Sequence, residues 1–513
     1  MSQNVVTTER PLKKTIGLAF ALLVFIVIGF LLPQPEGLPV AGQRMLALLV
    51  FSVICWITEA VEYPVSALVI LALMVIVIGI SPDVNKPASV YGMGQGISMG
   101  LRGFSSSGWA LVAAALFLAV AMQKTGFDRR LALLILSFVG AKSKNIVIGV
   151  ILVGFVLAFF VPSTTARVAC IVPIIMGIIS VFGVDKRGAF ASTLMIVCAQ
   201  ADSIWNVGIK TAAAQNMITV NFIKQILGRD ILWIDWFIAA APFAALMSVG
   251  LYLVMMFIMP PEVEEIPGGR GMIKKQLAEL GPMNPAERKL MIISILLLIF
   301  WVLEGVRFSS FGITGSLANT RIHPFDTASI TIVAVTLFFM PKIDILEWKY
   351  CVTKINWGTI VLFGVGISLG SAILATQAGQ WLAKYLVASL ALASQTPFVI
   401  LAILALFLII IHLGFASATA LASALIPIII AVLQEVAKVQ GDAVNILGLT
   451  MILQYVVSFG FILPVNAPQN MIAYGTETFT AGTFIRTGIP LMILAYALLL
   501  LMASTYWKFL GYV

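Results

Sequence analysis

Long apolar runs dominate the chain, and they predict helices that cross a membrane. The clearest runs cover residues 16–32, 45–57, 65–80, 110–122, 146–161, 291–303, 330–340, 398–411 and 491–502. They lack the alternation of a barrel strand, and a lipid bilayer offers no hydrogen-bond partners to an open backbone. With their mildly polar flanks, they predict an all-α polytopic membrane protein with about ten to twelve crossings.

Composition and charge agree with this pattern. The chain is 61% hydrophobic and 10% charged, whereas a soluble domain is about a quarter charged. A net charge of +9 could suit nucleic acid in a soluble protein, but here the basic residues flank apolar runs, as the positive-inside rule describes. They place the N-terminus and the stretch 260–289 on the cytoplasmic side of the cell membrane, and we expect no nucleic-acid partner. The first run is longer than a signal-peptide core, so we expect a retained span.

The residues that usually carry redox or catalytic chemistry are sparse. The four cysteines are scattered without a CxxC pair, and there are two histidines. This distribution predicts no disulfide, no metal site and no cofactor. The chain also lacks a clustered set of nucleophile, base and acid, so we do not expect an enzyme.

Two short polar motifs recur at one offset. Ser-Thr-Thr-Ala at 163–166 recurs as Ser-Ala-Thr-Ala at 417–420, and Ala-Ala-Gln-Asn at 213–216 recurs as Ala-Pro-Gln-Asn at 467–470. Both recurrences are 254 residues apart (163 to 417, and 215 to 469). A shared offset indicates two structural repeats, each with two polar interruptions at membrane depth. Secondary transporters build binding sites at the interface of such repeats.

The stretch 260–289 is rich in proline, glycine and charge and divides the chain. We therefore predict an N-terminal segment with the first span (1–40), a first repeat (41–259), a cytoplasmic linker (260–289) and a second repeat (290–513). Five crossings in each repeat return the linker to the starting side. An odd number of crossings makes the two repeats inverted relative to each other.

The first pair of motifs predicts two helical hairpins that enter the membrane and turn back. Pro162 cannot continue the preceding helix, and Ser163 is a good N-cap for the next one. Ser417 stands in the same position in the second repeat. A helix start at the tip of each hairpin presents free N–H groups and the positive end of a dipole, which favour anions. The alternative is that the small residues only permit close helix packing.

The second pair of motifs predicts broken helices beside the tips. The segment 205–216 is too polar for a lipid-facing helix, and 463–468 contains two prolines. Irregular backbone at membrane depth lines a cavity or is buried in protein, although a proline kink with packed amides would also explain it.

Isolated charges lie near these motifs and are candidates to compensate a bound anion. They are Lys210, Arg167 and His412. Lys210 could instead extend to the membrane surface, and His412 could be a packed histidine. Asp202 could pair with either Lys210 or Arg167.

A further segment carries a family resemblance. Residues 56–68, Trp-Ile-Thr-Glu-Ala-Val-Glu-Tyr-Pro-Val-Ser-Ala-Leu, resemble the Trp-x-Thr-Glu-Ala-x-x-x-Pro-Val-Thr-Ala signature of the divalent anion:sodium symporter family. With both tips and both breaks, the resemblance covers nearly the whole chain after the first span. It implies about 11 spans, two re-entrant hairpins, a homodimer in membrane lipid and an elevator motion. It implies di- or tricarboxylate substrates bound by Ser163, Thr164, Thr165, Ser417, Ala418, Thr419, Ala213, Asn216, Ala467, Pro468 and Asn470.

The motifs depart from those of sodium-coupled members, whose tips read Ser-Asn-Thr and whose breaks read Thr-Pro-Pro-Asn. Thr164 and Ala418 replace the tip asparagines, and Ala213 and Ala467 replace the break threonines. The chain is more similar to the branch of 2-oxoglutarate/malate translocators and citrate/succinate antiporters. We therefore expect sodium-independent exchange of malate, succinate, fumarate, 2-oxoglutarate or citrate. A sodium-coupled symporter and an anion channel remain the alternatives.

Overall fold

The computed structural model describes residues 9–140, 142–181, 184–265, 269–311 and 319–513. Within these ranges the chain is helical, and the only β-pairings are isolated bridges. The first helix, α1, covers Glu9–Ile26 and continues as a π-helical turn, Val27–Leu31. This confirms the predicted all-α fold.

In the described part of the predicted first repeat there are ten α-helices. They are α2 (Val40–Thr58), α3 (Tyr63–Gly79), α4 (Gly92–Leu101), α5 (Ser107–Thr125), α6 (Phe127–Val139), α7 (Ser143–Phe160), α8 (Thr164–Val181), α9 (Ala189–Gly208), α10 (Ala214–Phe222) and α11 (Trp233–Ile258). The hairpin α7–α8 turns at Pro162 and Ser163, as predicted. The broken helix α9–α10 is interrupted by a short 3-10 turn, Lys210–Ala212.

The second repeat follows the linker helix α12 (Gly269–Glu279). Its helices are α13 (Pro285–Val302), α14 (Thr327–Leu337), α15 (Trp348–Lys354), α16 (Trp357–Ala375), α17 (Ala378–Ser389), α18 (Pro397–His412), α19 (Ala418–Gln440), α20 (Ile446–Val457), α21 (Pro468–Tyr474), α22 (Ala481–Ser504) and α23 (Tyr506–Phe509). The hairpin α18–α19 corresponds to α7–α8, and the broken helix α20–α21 corresponds to α9–α10.

Eight of the described helices are long and apolar enough to span a membrane on their own. Shorter apolar helices, including α3, α14 and α20, complete the set. Helices α9 and α10 are separated only by a short break, and so are α20 and α21. We therefore count each of these two broken helices as one crossing. The number of crossings, one span plus five per repeat, stays a prediction.

The signature segment 56–68 forms the turn between α2 and α3 and supports the second hairpin. Glu59 ends α2 with a positive φ of 47°. The indole N–H of Trp56 donates to Ser66 Oγ at 3.0 Å, and its ring lies 6.5 Å from that of Phe415. Since Phe415 immediately precedes the second tip, this buried tryptophan helps to fix the position of that tip.

Candidate functional site

Four helix starts meet at one cavity of about 290 Å³. The helices α8, α10, α19 and α21 all begin there, and their first residues line it. The lining from the two tips is 163–165 and 417–419, and the lining from the two breaks is 213–215 and 467–469. Each helix start carries backbone N–H groups without helical partners and the positive end of a dipole. Two motifs far apart in sequence therefore form one wall that favours an anion.

The serine at each tip caps its helix. Ser163 Oγ accepts from the Ala166 N–H at 3.3 Å, and Ser417 Oγ accepts from the Ala420 N–H at 3.2 Å. The cap at Ser163 was predicted from the sequence, and Ser417 repeats it in the second hairpin. A capping oxygen accepts, so the hydroxyl proton of each serine can still be donated into the cavity.

The next tip residues differ in what they contact. Thr164 Oγ1 donates to Asn206 Oδ1 at 2.8 Å, so this side chain connects the first tip to α9. Thr165 and Thr419 also line the cavity, and neither hydroxyl hydrogen-bonds to another residue in the described ranges. These two hydroxyls can bind a ligand without breaking a protein contact.

Asn216 and Asn470 lie behind the cavity wall and not in it. Both are buried, at 1% and 0% exposure. The Asn216 amide donates to carbonyl oxygens ten and seven residues earlier, at 2.7 and 3.2 Å. The Asn470 amide donates at the same two sequence distances, at 2.8 and 3.4 Å. The predicted direct contact with substrate is therefore replaced here by a positioning role, in which each amide satisfies the carbonyls of a broken helix.

Sequence reasoning missed a pair of reciprocal contacts between the repeats. Gln215 Nε2 donates to Ser458 Oγ at 3.2 Å, and Gln469 Nε2 donates to Ser203 Oγ at 3.0 Å. Each glutamine lines the cavity as part of its own break. Its side-chain amide also hydrogen-bonds to the broken helix of the other repeat. The repeated Gln-Asn motif was the available signal, since both glutamines share its offset.

Arg167 is fully buried and ties the first tip to the first break. Its guanidinium pairs with Asp202 Oδ1 at 2.6 Å, which settles the partner of that aspartate. It also donates to the carbonyl oxygens of Val161 at 2.7 Å and Ala212 at 3.1 Å, and to Asn206 Oδ1 at 2.7 Å. These five residues form one buried network, and the guanidinium does not line the cavity.

Lys210 also points away from the cavity. It is 3% exposed, and its ammonium donates to Ile231 O at 2.6 Å, Thr327 Oγ1 at 3.2 Å and Glu304 Oε2 at 3.3 Å. A buried, paired ammonium does not extend to a membrane surface. It belongs to a second polar cavity, lined also by Glu304 and Thr327.

His412 is buried behind the second tip, with 2% exposure. Its backbone carbonyl accepts from Asn466 Nδ2 at 2.8 Å, and its ring does not line the cavity. The structure thus does not bring any of the three charge-compensating candidates, Lys210, Arg167 and His412, to the wall formed by the tips and breaks.

A second group of lining residues comes from α5, α15 and α16, and we call it the second wall. Its apolar part is Val112, Leu116, Ala119, Val120, Ile355 and Leu362, and its polar part is Gln123, Lys354, Asn356 and Thr359. Among the cavity-lining residues that the structure describes, Lys354 is the only charged one. Sequence reasoning did not single it out, because it ends a short amphipathic helix among other charged residues.

Comparison with known proteins places the chain in a family. The family model described as "Sodium:sulfate symporter transmembrane region" matches residues 13–513. A protein of Cupriavidus necator named only "Membrane protein" is 50% identical over 96% of this chain and 93% of its own length. The sodium-dependent dicarboxylate transporter SdcS of Staphylococcus saprophyticus is 25% identical over 95% of this chain and 90% of its own length.

A solved structure shares the fold. The YdaH transporter of Alcanivorax borkumensis superposes with a TM-score of 0.53 at 15% identity, covering 86% of this chain and 97% of that one. The family match covers both repeats, both hairpins and both broken helices, and its members are membrane transporters and not enzymes. The chain therefore belongs to the divalent anion:sodium symporter family.

Proposed function

We propose that the protein is a secondary transporter that binds a di- or tricarboxylate in the cavity and exchanges it across the cell membrane. The substrates are of the malate, succinate, fumarate, 2-oxoglutarate and citrate class. The observation that carries the proposal is the convergence of four helix starts on a cavity with no acidic residue in its described lining. The staphylococcal relatives, named as dicarboxylate transporters, support the substrate class.

The two tips suit the two ends of a dicarboxylate. Each tip offers a serine hydroxyl, a threonine hydroxyl and the start of a helix of 18 or 23 residues. A hydrogen bond to a charged group contributes about 1.5–3 kcal/mol. A dianion that spans the tips can therefore satisfy one carboxylate at Thr165 and the other at Thr419.

We further propose that exchange does not require sodium. A hard cation needs several oxygen ligands, and the junction of each tip with its break supplies backbone oxygens. In the first repeat, Arg167 N–H groups already occupy such oxygens, those of Val161 and Ala212. In the second repeat, the Asn466 amide donates to Phe415 O at 3.2 Å and to two carbonyls before it. Side-chain N–H groups thus occupy, in both repeats, backbone oxygens that a sodium ion would otherwise use as ligands.

A sodium-coupled symporter is the second candidate, and the names of the staphylococcal relatives favour it. Purified protein in liposomes separates the two. We expect uptake of labelled succinate that depends on internal dicarboxylate and is equal in sodium, potassium and choline media. Uptake that needs a sodium gradient and no internal substrate would establish the symporter. Non-saturating flux without counterflow would establish an anion channel.

The proposed motion is an elevator. The tips and breaks would move as one body, because Gln215 and Gln469 join the two repeats by hydrogen bonds to Ser458 and Ser203. The second wall would stay fixed, at the interface of a homodimer. Arg130, shortly after the end of α5, pairs with Glu287 of the linker at 3.0 Å. If the linker is cytoplasmic, as proposed, the end of α5 that lines the cavity is cytoplasmic too, and we propose that this conformation is open to the inside.

Cross-linking tests the motion. A disulfide between a cysteine at Ala169 on the first hairpin and one at Leu116 on the second wall, which line the same cavity, should stop exchange without abolishing succinate binding. Reduction should restore it, and a protein with only one of the two cysteines is the control. Continued exchange by fully cross-linked protein would contradict an elevator.

A further inference from the structure

We infer that Lys354 is the cation that receives the negative charge of the substrate in this conformation, and that it does so from the second wall. The inference rests on the proposed function and names a further residue of its binding site. It assigns the charge to a residue outside the repeated motifs.

The surroundings of Lys354 leave its charge available. Its side chain is exposed at the end of α15 and lines the cavity beside Asn356. Its ammonium lies 5.9 Å from the ring centroid of Tyr350 and forms no ion pair with another residue in the described parts of the chain. The neighbouring Lys124, by contrast, pairs with Glu347 at 3.2 Å.

The two basic residues behind the tips and breaks are already neutralised. Arg167 pairs with Asp202, and Lys210 pairs with Glu304, at 2.6 and 3.3 Å. Each helix start contributes only about half a positive charge, which falls off within one turn. A dianion that leaves water without a counter-charge costs several kcal/mol. Among the described residues that line the cavity, Lys354 is therefore the one that can offer a full positive charge.

The location of Lys354 on α15 has a consequence for transport. Its charge does not travel with the tips and breaks, so it acts only on the side to which the cavity now opens. Coulomb attraction scales with the charge of the ligand, so Lys354 also favours a dianion over a monoanion. Attraction at a cavity mouth weakens as ionic strength rises.

The test compares Lys354→Gln with a matched control, Lys349→Gln. Both variants remove one positive charge from the same helix. Lys349 is exposed but does not line the cavity, so its variant changes the net charge without changing the cavity. The Michaelis constant for succinate is measured separately from each side, in proteoliposomes of one protein orientation and at two salt concentrations. The Lys354→Arg variant tests rescue.

For Lys354→Gln we expect the Michaelis constant to rise about three- to tenfold on the side to which the cavity opens, with a weaker salt dependence. The opposite side, Lys349→Gln and Lys354→Arg should stay near wild type. Equal changes on both sides, the same change in Lys349→Gln, or no change would overturn the inference while leaving dicarboxylate exchange intact. Absence of dicarboxylate exchange by the wild-type protein would instead overturn the proposed function, and the inference with it.

Discussion

The internal repeat supplies a direct test of the buried Arg167–Asp202 pair. Residues 254 positions later are Leu421 and Val456, and both are fully buried in the second repeat. The second repeat therefore builds a hairpin and a broken helix without this ion pair. Transplanting its residues gives Arg167→Leu, Asp202→Val and the double variant, each with a side chain that the same architecture already accommodates.

The expected magnitudes follow from burial. Arg167→Leu leaves the Asp202 carboxylate without a counter-charge at 0% exposure, which costs about 3–5 kcal/mol. It also removes donors from Val161 O and Ala212 O, and an unsatisfied buried acceptor costs about 1–3 kcal/mol. The double variant removes both charges, so it should recover the ionic part of the loss and keep only the acceptor part.

Thermal denaturation of purified protein in one detergent measures this order. The control is Lys438→Met, which breaks an exposed pair with Glu435, and such pairs contribute only about 0–1 kcal/mol. We expect Arg167→Leu to be the least stable, the double variant to be intermediate and Lys438→Met to match the wild type. The reasoning is refuted if Arg167→Leu is as stable as Lys438→Met, or if the double variant is no more stable than Arg167→Leu.

The other predictions concern the tips, Lys210 and the breaks. Thr165→Val and Thr419→Val should each raise the Michaelis constant for succinate roughly tenfold, because each loses a hydrogen bond to a charged group; unchanged constants in both would reject this site. Lys210→Met should lower stability by about 3–5 kcal/mol, because Glu304 stays buried without its ammonium; a denaturation curve that matches the wild type would contradict it. Asn470→Leu should abolish exchange and lower the melting temperature together, since it leaves two carbonyls of a break unsatisfied; lost exchange in a protein of unchanged stability would show a direct role in binding.

The hairpins and their caps could be predicted because their cause is local. Pro162 and Ser163 stop one helix and start the next through the chemistry of adjacent residues. The offset of 254 residues then identified the second hairpin at Ser417. A single sequence is enough to find both hairpins, because the residues that form each turn are adjacent and recur at a fixed distance.

The roles of the charged residues could not be predicted, because they depend on partners far along the chain. Lys210 meets Glu304, 94 residues away, and Arg167 meets Asp202, 35 residues away. A charge within an apolar run indicates that a partner exists, but not whether that partner is a ligand or a carboxylate. Asn216 is polar because the broken helix itself needs donors, a requirement that becomes visible only with the backbone.

Lys354 is a residue that the sequence pattern does not indicate at all. It lies at the end of a seven-residue helix, outside the apolar runs and outside both motifs, so nothing in its neighbourhood marks it. Only the packing of α15 against the end of α5 brings its ammonium to the cavity.

Counterflow in proteoliposomes tests sodium-independent exchange directly. Liposomes loaded with unlabelled succinate or left empty receive labelled succinate in sodium or choline medium. We expect saturable uptake into loaded liposomes only, at equal rates in both media. Uptake into empty liposomes that requires sodium would contradict this expectation.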